Sequence, residues 1–395
     1  MRPGITIQHA SLPERRSDLV RCDIAAVIGF VPRAWWPEEA VEGDLVEVQL
    51  RRAGALEDDP SRELFDAVTR DAARQFFENG GSLLHLVGVC VADLGALRAP
   101  TGDDGLLVPL FQWLRNQEDL GLIAVPSAAT WRCEVSRTGG VTSHADTLWD
   151  ELLAHCRQAG NRFLVIDAPR GLHGELLERW VGALRDREPL SRSYGAVYYP
   201  WLVRGDRVEP PSGAVMGLVA RLENERAPYG VGVPPANLPV LGFTHAEVEL
   251  DWGEVGRLND ANINSFISQP GRGVVVWGAR TLSRDPAWQF VNSRRVVGLV
   301  TEQLRRDNEW AVFEPNDRSL WKVLERDVNV RLQEFWEAGL ISGGRSAPEF
   351  SVDCSENTNL PATRDSGIVN VEVTLRPVGT TERILIDLRI GSGTL

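Results

Sequence analysis

The sequence predicts an α/β protein: a middle domain on a mainly parallel sheet, an α+β domain after it, and an extended arm at each end. Three observations carry this. From residue 20 to residue 269, apolar runs of strand length rotate strictly with helical stretches, the order that right-handed crossovers onto a parallel sheet produce. Beyond Gln269 the order becomes strand, helix, long helix and two alternating strands. Near the start, Ile5 and Ile7 alternate with Thr6 and Gln8 in a strand pattern with no neighbour in sequence to pair with. The expected division is a strand arm at 1–19, the α/β domain at 20–269, the α+β domain at 270–380 and a second strand arm at 381–395.

Taken in order, CDIAAVIGFV reads as a buried strand and WWPEEAVEGD as a loop. A helix is expected from Asp59 as cap and Pro60 in the first turn, with Leu64, Val68, Ala72 and Phe76 four apart, ending at Asn79-Gly80-Gly81. SLLHLVGVCV, LGLIAVPSAA, NRFLVIDAP and YGAVYYPWLV are continuous apolar strands of the kind a sheet covered on both faces needs. Between and after them, DTLWDELLAHCRQAG, GELLERWVGAL and SGAVMGLVARLENER are helical, the last with Ser212 as cap. In the last third come the strand GVVVWGARTL, the helix SRRVVGLVTEQLRRD and a long helix capped by Asn316 or Asp317. On that helix Leu320, Leu324, Val328, Leu332 and Trp336 share a face up to Gly339. Val369, Val371, Val373 and Leu375 then alternate with polar residues, as do Ile384, Ile386, Leu388 and Ile390, in two antiparallel-looking strands. The final strand has two readings: a hairpin with its predecessor, or an arm for another molecule.

Composition narrows the function. A chain of 395 residues with 43% hydrophobic and 25% charged residues suits a two-domain globular protein. It holds no run near the ~20 apolar residues of a membrane span. A formal charge of −13 repels a phosphate backbone, so nucleic acid is not an expected partner. Residues 1–11 have one arginine and no apolar core, which argues against a secretory leader and for the cytoplasm. Cys22, Cys90, Cys133, Cys156 and Cys354 are scattered, with no metal or disulfide spacing, and read as buried free thiols.

An α/β sheet is a common enzyme scaffold, yet the chemical motifs do not form. There is no G-x-S-x-G elbow, phosphate loop or G-x-G-x-x-G after a strand, and Gly230-Val231-Gly232 and Gly271-Arg272-Gly273 fit tight turns. The histidines (His9, His85, His144, His155, His173, His245) lack metal spacing, and His85 within SLLHLV fits the core. Asp167 at a strand end, with His173 and Ser212, sketches a Ser-His-Asp set, but any chain this size offers such a trio. No catalytic residue, cofactor or metal is expected.

The carboxyl third carries Pro270-Gly271-Arg272-Gly273, Trp277-Gly278-Ala279-Arg280-Thr281-Leu282, Asn292-Ser293-Arg294-Arg295 and Glu314-Pro315-Asn316-Asp317, in that order. In this order and spacing the run resembles the signature of contractile tail sheath proteins, the family of phage tails, R-type bacteriocins and related injection particles. FFENGG, RFLVIDAP, YYPWL and PPSGAVMGLVAR match the family's middle domain, and only residues 35–58 depart from its pattern. The resemblance implies a subtilisin-like middle domain without the protease's catalytic set. It implies arms that add strands to a neighbour's carboxyl-terminal sheet, which would make Ile5, Ile7, Ile384, Ile386, Leu388 and Ile390 inter-subunit residues. It further implies hexameric rings of this chain stacked helically around an inner tube protein, with baseplate and tail terminator proteins as partners and contraction driving the tube forward. On the long helix, Lys322, Glu325, Arg326, Asp327 and Arg331 form a charged outer face, from which Lys322, Arg326 and Arg331 could meet the tube. The competing classes are an α/β hydrolase-like enzyme and a non-contractile lattice protein.

Overall fold

A computed structural model of the chain describes residues 19–92, 106–226, 230–344, 347–380 and 382. Ile5, Ile7, Ile384, Ile386, Leu388 and Ile390 lie outside the described residues.

The first body is a nine-stranded sheet with helices on both faces. In chain order its elements are β1 (Ile24–Pro32), β2 (Leu45–Leu50), α1 (Gly54–Glu57), α2 (Ala67–Glu78), β3 (Leu84–Val91), α3 (Val108–Asn116) and β4 (Leu120–Ala124). Then come the small hairpin β5 (Cys133–Val135) and β6 (Val141–Ser143), α4 (Asp146–Ala159), β7 (Phe163–Asp167), α5 (Gly174–Arg187) and β8 (Gly195–Tyr199). The short β9 (Leu202–Arg204) and β10 (Arg207–Glu209), α6 (Ser212–Glu225), β11 (Leu238–Pro239), β12 (His245–Ala246), α7 (Trp252–Asp260), β13 (Ile263–Gln269) and β14 (Gly273–Trp277) complete it. The strand order is β11-β14-β13-β8-β7-β4-β1-β3-β2. The interior strands from β13 to β3 run parallel, as the strand and helix rotation predicts. Antiparallel strands close both edges: β2 beside β3, and β14 with β11 beside β13. The boundary expected at 269/270 falls in the turn of the β13–β14 hairpin, where Arg272 N–H donates to Gln269 O at 3.1 Å.

Alternation along β1 shows how the core divides. Ile24, Ala26, Ile28 and Phe30 face a layer holding Leu110 of α3, Trp149 of α4 and Trp180 of α5. Ala25 and Val27 face the other layer, with Ala72 and Phe76 of α2 and Ala214 and Leu218 of α6. On that side α2 and α6 cross closely because Gly213 and Gly217 remove side chains from one turn to the next. A Cβ on Gly213 would lie 2.2 Å from Ala72 O, and one on Gly217 2.3 Å from Phe76 O. Since backbone cannot yield as a side chain can, Gly213→Ala is expected to lower stability by ~1–3 kcal/mol in urea unfolding while leaving exposed-surface variants unaffected.

Local expectations change at several points. The helix placed from Asp59 to Glu78 is two elements: Asp59 caps a 3-10 turn (Pro60–Leu64), and α2 starts anew with Asp66 accepting from Thr69 N–H at 2.8 Å. Leu64 is therefore off the helix. Ser212 is not the α6 cap. Its N–H instead donates at 2.8 Å to Asp167 from β7, a long-range acceptor that local sequence cannot reveal. Beyond these, the β2 edge strand, α3, α7 and β13 were not expected at all.

The second body joins α8 (Val291–Asp307), α9 (Arg318–Glu337), the bridge β15 (Gly343–Gly344) with β16 (Ala347–Pro348), β17 (Phe350–Asp353), α10 (Pro361–Asp365) and β18 (Glu372–Leu375). Asp317 caps α9, accepting from Ser319 and Leu320 N–H. Leu320, Leu324, Val328 and Leu332 are buried on its inner face, Trp336 is partly buried, and Gly339 follows the helix with φ 81°.

Candidate assembly interface

β18 pairs antiparallel with β17, a strand the sequence reading had missed, in the register Phe350↔Leu375 and Val352↔Val373. Among the described residues this ribbon has two strands only, so its outer edges present unpaired backbone N–H and C=O groups. Phe350, Val352, Val373 and Leu375 lean on the α8–α9 core but stay half-exposed, whereas Ser351, Glu372 and Thr374 face solvent. A two-stranded ribbon in water is marginal, and each further strand would cover more of this apolar face.

The first and the last described segments are both held against α8. At the amino-terminal side, Val20 N–H donates to Gln303 Oε1 at 2.8 Å, and the Arg295 guanidinium donates to Cys22 O at 2.8 Å while ion-pairing with Glu223. At the carboxyl-terminal side, Asn292 Nδ2 and Ser293 Oγ donate to Val378 O at 3.4 and 3.1 Å, and Thr380 Oγ1 donates to Asn292 Oδ1 at 2.7 Å. Glu382 then receives a two-pronged bond from Arg280 at 2.8 and 2.5 Å. Arg280 is itself fixed by Asn264, which accepts from its N–H and donates to its carbonyl. The motif residues Arg280, Asn292, Ser293 and Arg295, which sequence had singled out without assigning any task, thus hold the roots of both terminal segments. Their only sequence signal was membership of the ordered motif set.

Burial explains the Arg295–Glu223 pair. Burial pushes the Glu223 carboxyl up, and Arg295 works against that rise. Cys22 beside it is raised by the same burial, in keeping with an inert thiol.

The charged face of α9 divides. Lys322 and Arg326 are exposed, but Arg331 is 7% exposed and bonds Asp307 at 2.6 and 3.1 Å and Glu334 at 3.0 Å. Arg331 is therefore removed from the outer face: its position in the helix turns it toward α8. Just before α9, Val312 is 61% exposed and Phe313 fully exposed, with Phe313 at φ 71°. A bulky residue held in the left-handed region costs on the order of 1–3 kcal/mol.

Of the Ser-His-Asp sketch, the structure brings Asp167 and Ser212 together, while His173 is engaged elsewhere. Asp167 is spent on the α6 amino terminus, and the His173 ring bonds Tyr199 OH at 2.9 Å. Burial raises the Asp167 carboxyl to about 7 against the opposing bonds from Ser212. His85 is buried and partnered by Glu47 at 2.7 Å. The described cysteines are free, and Cys133 alone among them is partly exposed. No helix among the described residues is long and apolar enough to cross a membrane.

Two family models match: the phage tail sheath protein central domain over residues 185–282 and the phage tail sheath C-terminal domain over residues 283–391. Together they take in more than half of the chain, meeting between the sheet and α8. Among curated proteins, a putative prophage major tail sheath protein of Pseudomonas aeruginosa (strain UCBPP-PA14) is 36% identical over 135 residues, 33% of each chain. The tail sheath protein of Escherichia phage P2 is 25% identical over 183 residues, 44% of this chain and 43% of the relative. The matches thus span under half the length of these relatives. Among solved structures, the helical sheath of the anti-feeding prophage in its contracted state is similar over 98% of both chains, with TM-score 0.72 and 22% identity. The sheath complex of an extracellular contractile injection system, PVC, also contracted, is similar over 99% of this chain and 98% of that one, with TM-score 0.71 and 20% identity. The mixed α/β fold with its large, mostly parallel sheet is shared across these proteins.

Proposed function

Because this chain belongs to the phage tail sheath protein family, we propose that it is the sheath subunit of a contractile injection machine and works by polymerising and repacking. The observation that carries the proposal is the open β17–β18 ribbon lying beside the roots of two terminal segments, all three attached to α8 and α9. In the proposed lattice, residues 1–19 and 381–395 of neighbours add strands to the ribbon edges, with Ile5, Ile7, Ile384, Ile386, Leu388 and Ile390 as the apolar teeth. The path of the chain favours this over a local hairpin. After β18 it does not reverse within a few residues but runs past the first turn of α8 to Arg280. Main-chain strand addition keeps subunits joined while their bodies rotate, and contraction is then a change from one packing to another of lower free energy, with no nucleotide consumed.

The same reading has hexameric rings stacked around an inner tube protein, baseplate and terminator proteins at the ends, assembly in the cytoplasm, and no enzymatic activity. Lys322 and Arg326, exposed on α9, are the proposed tube contacts. Negative-stain microscopy of the expressed chain should show hollow tubes or rings. Deleting Met1 to Ser11 should abolish them and leave a folded soluble monomer. Unchanged polymerisation after that deletion would remove the arm from the proposal, and a small particle under every condition would remove the sheath.

A further inference from the structure

We propose that the pocket around Arg294 receives a carboxylate presented by a second copy of this chain. Arg294 is 8% exposed and lies between Tyr194 and Trp288, its guanidinium carbon 4.3 Å from each ring centroid. Among the described residues its side chain has no ion pair and no hydrogen bond, and its buried Nε is without an acceptor. A guanidinium cannot shed its proton to escape burial, and the two ring faces offset its desolvation only in part until an anion arrives. Burial accordingly pulls the Arg294 side chain below the usual arginine range.

The surroundings point the same way. Arg294 lines a cavity of about 420 Å³ together with Arg157, Arg185, Arg192 and Arg284. The others have partners within the chain: Arg157 pairs with Glu188 at 3.6 Å. Arg284 pairs with Asp186 at 2.6 Å and Arg192 with Asp150 at 2.6 Å, but Arg192 keeps Nε and one terminal nitrogen unsatisfied, and Arg185 donates to the Ala261 carbonyl. Five guanidinium groups against the lining carboxylates Asp186 and Asp285 leave the cavity positive in a chain of net charge −13. The acidic surface of another copy is its natural complement, and the planar fork of arginine takes a carboxylate through two parallel bonds. Leu190, 68% exposed at the rim, supplies an apolar border of the kind that excludes water around such a contact.

The inference rests on the sheath reading and adds a subunit contact in the α/β body, away from the strand-adding ribbon. Its test is Arg294→Gln, compared with wild type in monomer melting and in the critical concentration for tube formation. The expected result is a monomer that melts no lower than wild type, with a critical concentration raised at least about tenfold, equivalent to ~1.4 kcal/mol per contact. Assembly of the variant at the wild-type concentration would overturn the pocket and leave the sheath reading standing. A clearly lower melting temperature would assign Arg294 to holding the fold, which also overturns it. Melting raised by millimolar inorganic phosphate in wild type but not in the variant, with equal assembly, would make this a site for free anions and reject the second copy. If wild type forms no polymer at all, the sheath reading fails and the pocket with it.

Discussion

Replacing Arg295 by alanine is expected to cost about 3–5 kcal/mol of folding stability, the usual consequence of removing one member of a buried ion pair. Arg295 is 8% exposed, pairs with Glu223 and donates to the Cys22 carbonyl, so its loss strands a buried carboxylate and a backbone acceptor together. Without the guanidinium, the Glu223 carboxyl rises further above its ordinary range. A carboxyl raised in the folded state binds more protons there than in the unfolded chain, so stability falls as pH rises through the interval between the two values. Urea unfolding should therefore show a larger deficit at pH 8 than at pH 5. The double variant Arg295→Met with Glu223→Gln should recover part of the loss, since the stranded charge is gone. A deficit below about 1 kcal/mol at both pH values would mean that the pair is not holding the amino-terminal root.

The second large effect runs in the opposite direction. Asp167 is 2% exposed and raised from 3.8 to about 7, with burial the dominant cause. Between those values the folded state holds a proton the unfolded chain has released, so rising pH lowers stability across that window and the loss is complete above about pH 7. Asp167→Asn keeps an oxygen to accept from Ser212 N–H at the start of α6 and has no charge to bury. It is expected to stabilise the chain at pH 8 by roughly 2–4 kcal/mol and to be near neutral at pH 4. Thermal unfolding of both proteins from pH 4 to pH 8 decides it. A variant that is equally or less stable than wild type at pH 8 would show that the ionised carboxylate is worth more to the α6 terminus than its burial costs. Because Asp167 serves a helix end, such a gain should leave assembly unchanged.

Where each residue's partners lie within a few positions, the sequence was sufficient. The parallel strands β1, β3, β4, β7 and β8, the helices α4, α5 and α6, the buried stripe of α9 and its Asp317 cap all follow from periodicity and capping. Charge and spacing argued against a catalytic or nucleic-acid role, and four ordered motifs identified the family. What remained open depended on residues distant in the chain. Leu45–Leu50 is a strand because β3 offers it an edge, and Phe350–Asp353 is one because Glu372–Leu375 lies alongside. Asp167 caps a helix that begins 45 positions later, and Arg331 sits on a charged stripe yet turns inward to Asp307. Neither is written in local pattern. Most of all, only tertiary packing shows why Arg280, Asn292, Ser293 and Arg295 stand together: hydrogen bonds across as many as 283 positions bring the first and last described segments to one helix. Period and propensity act over a turn or a strand, whereas a buried polar group is satisfied by whatever the completed fold sets against it.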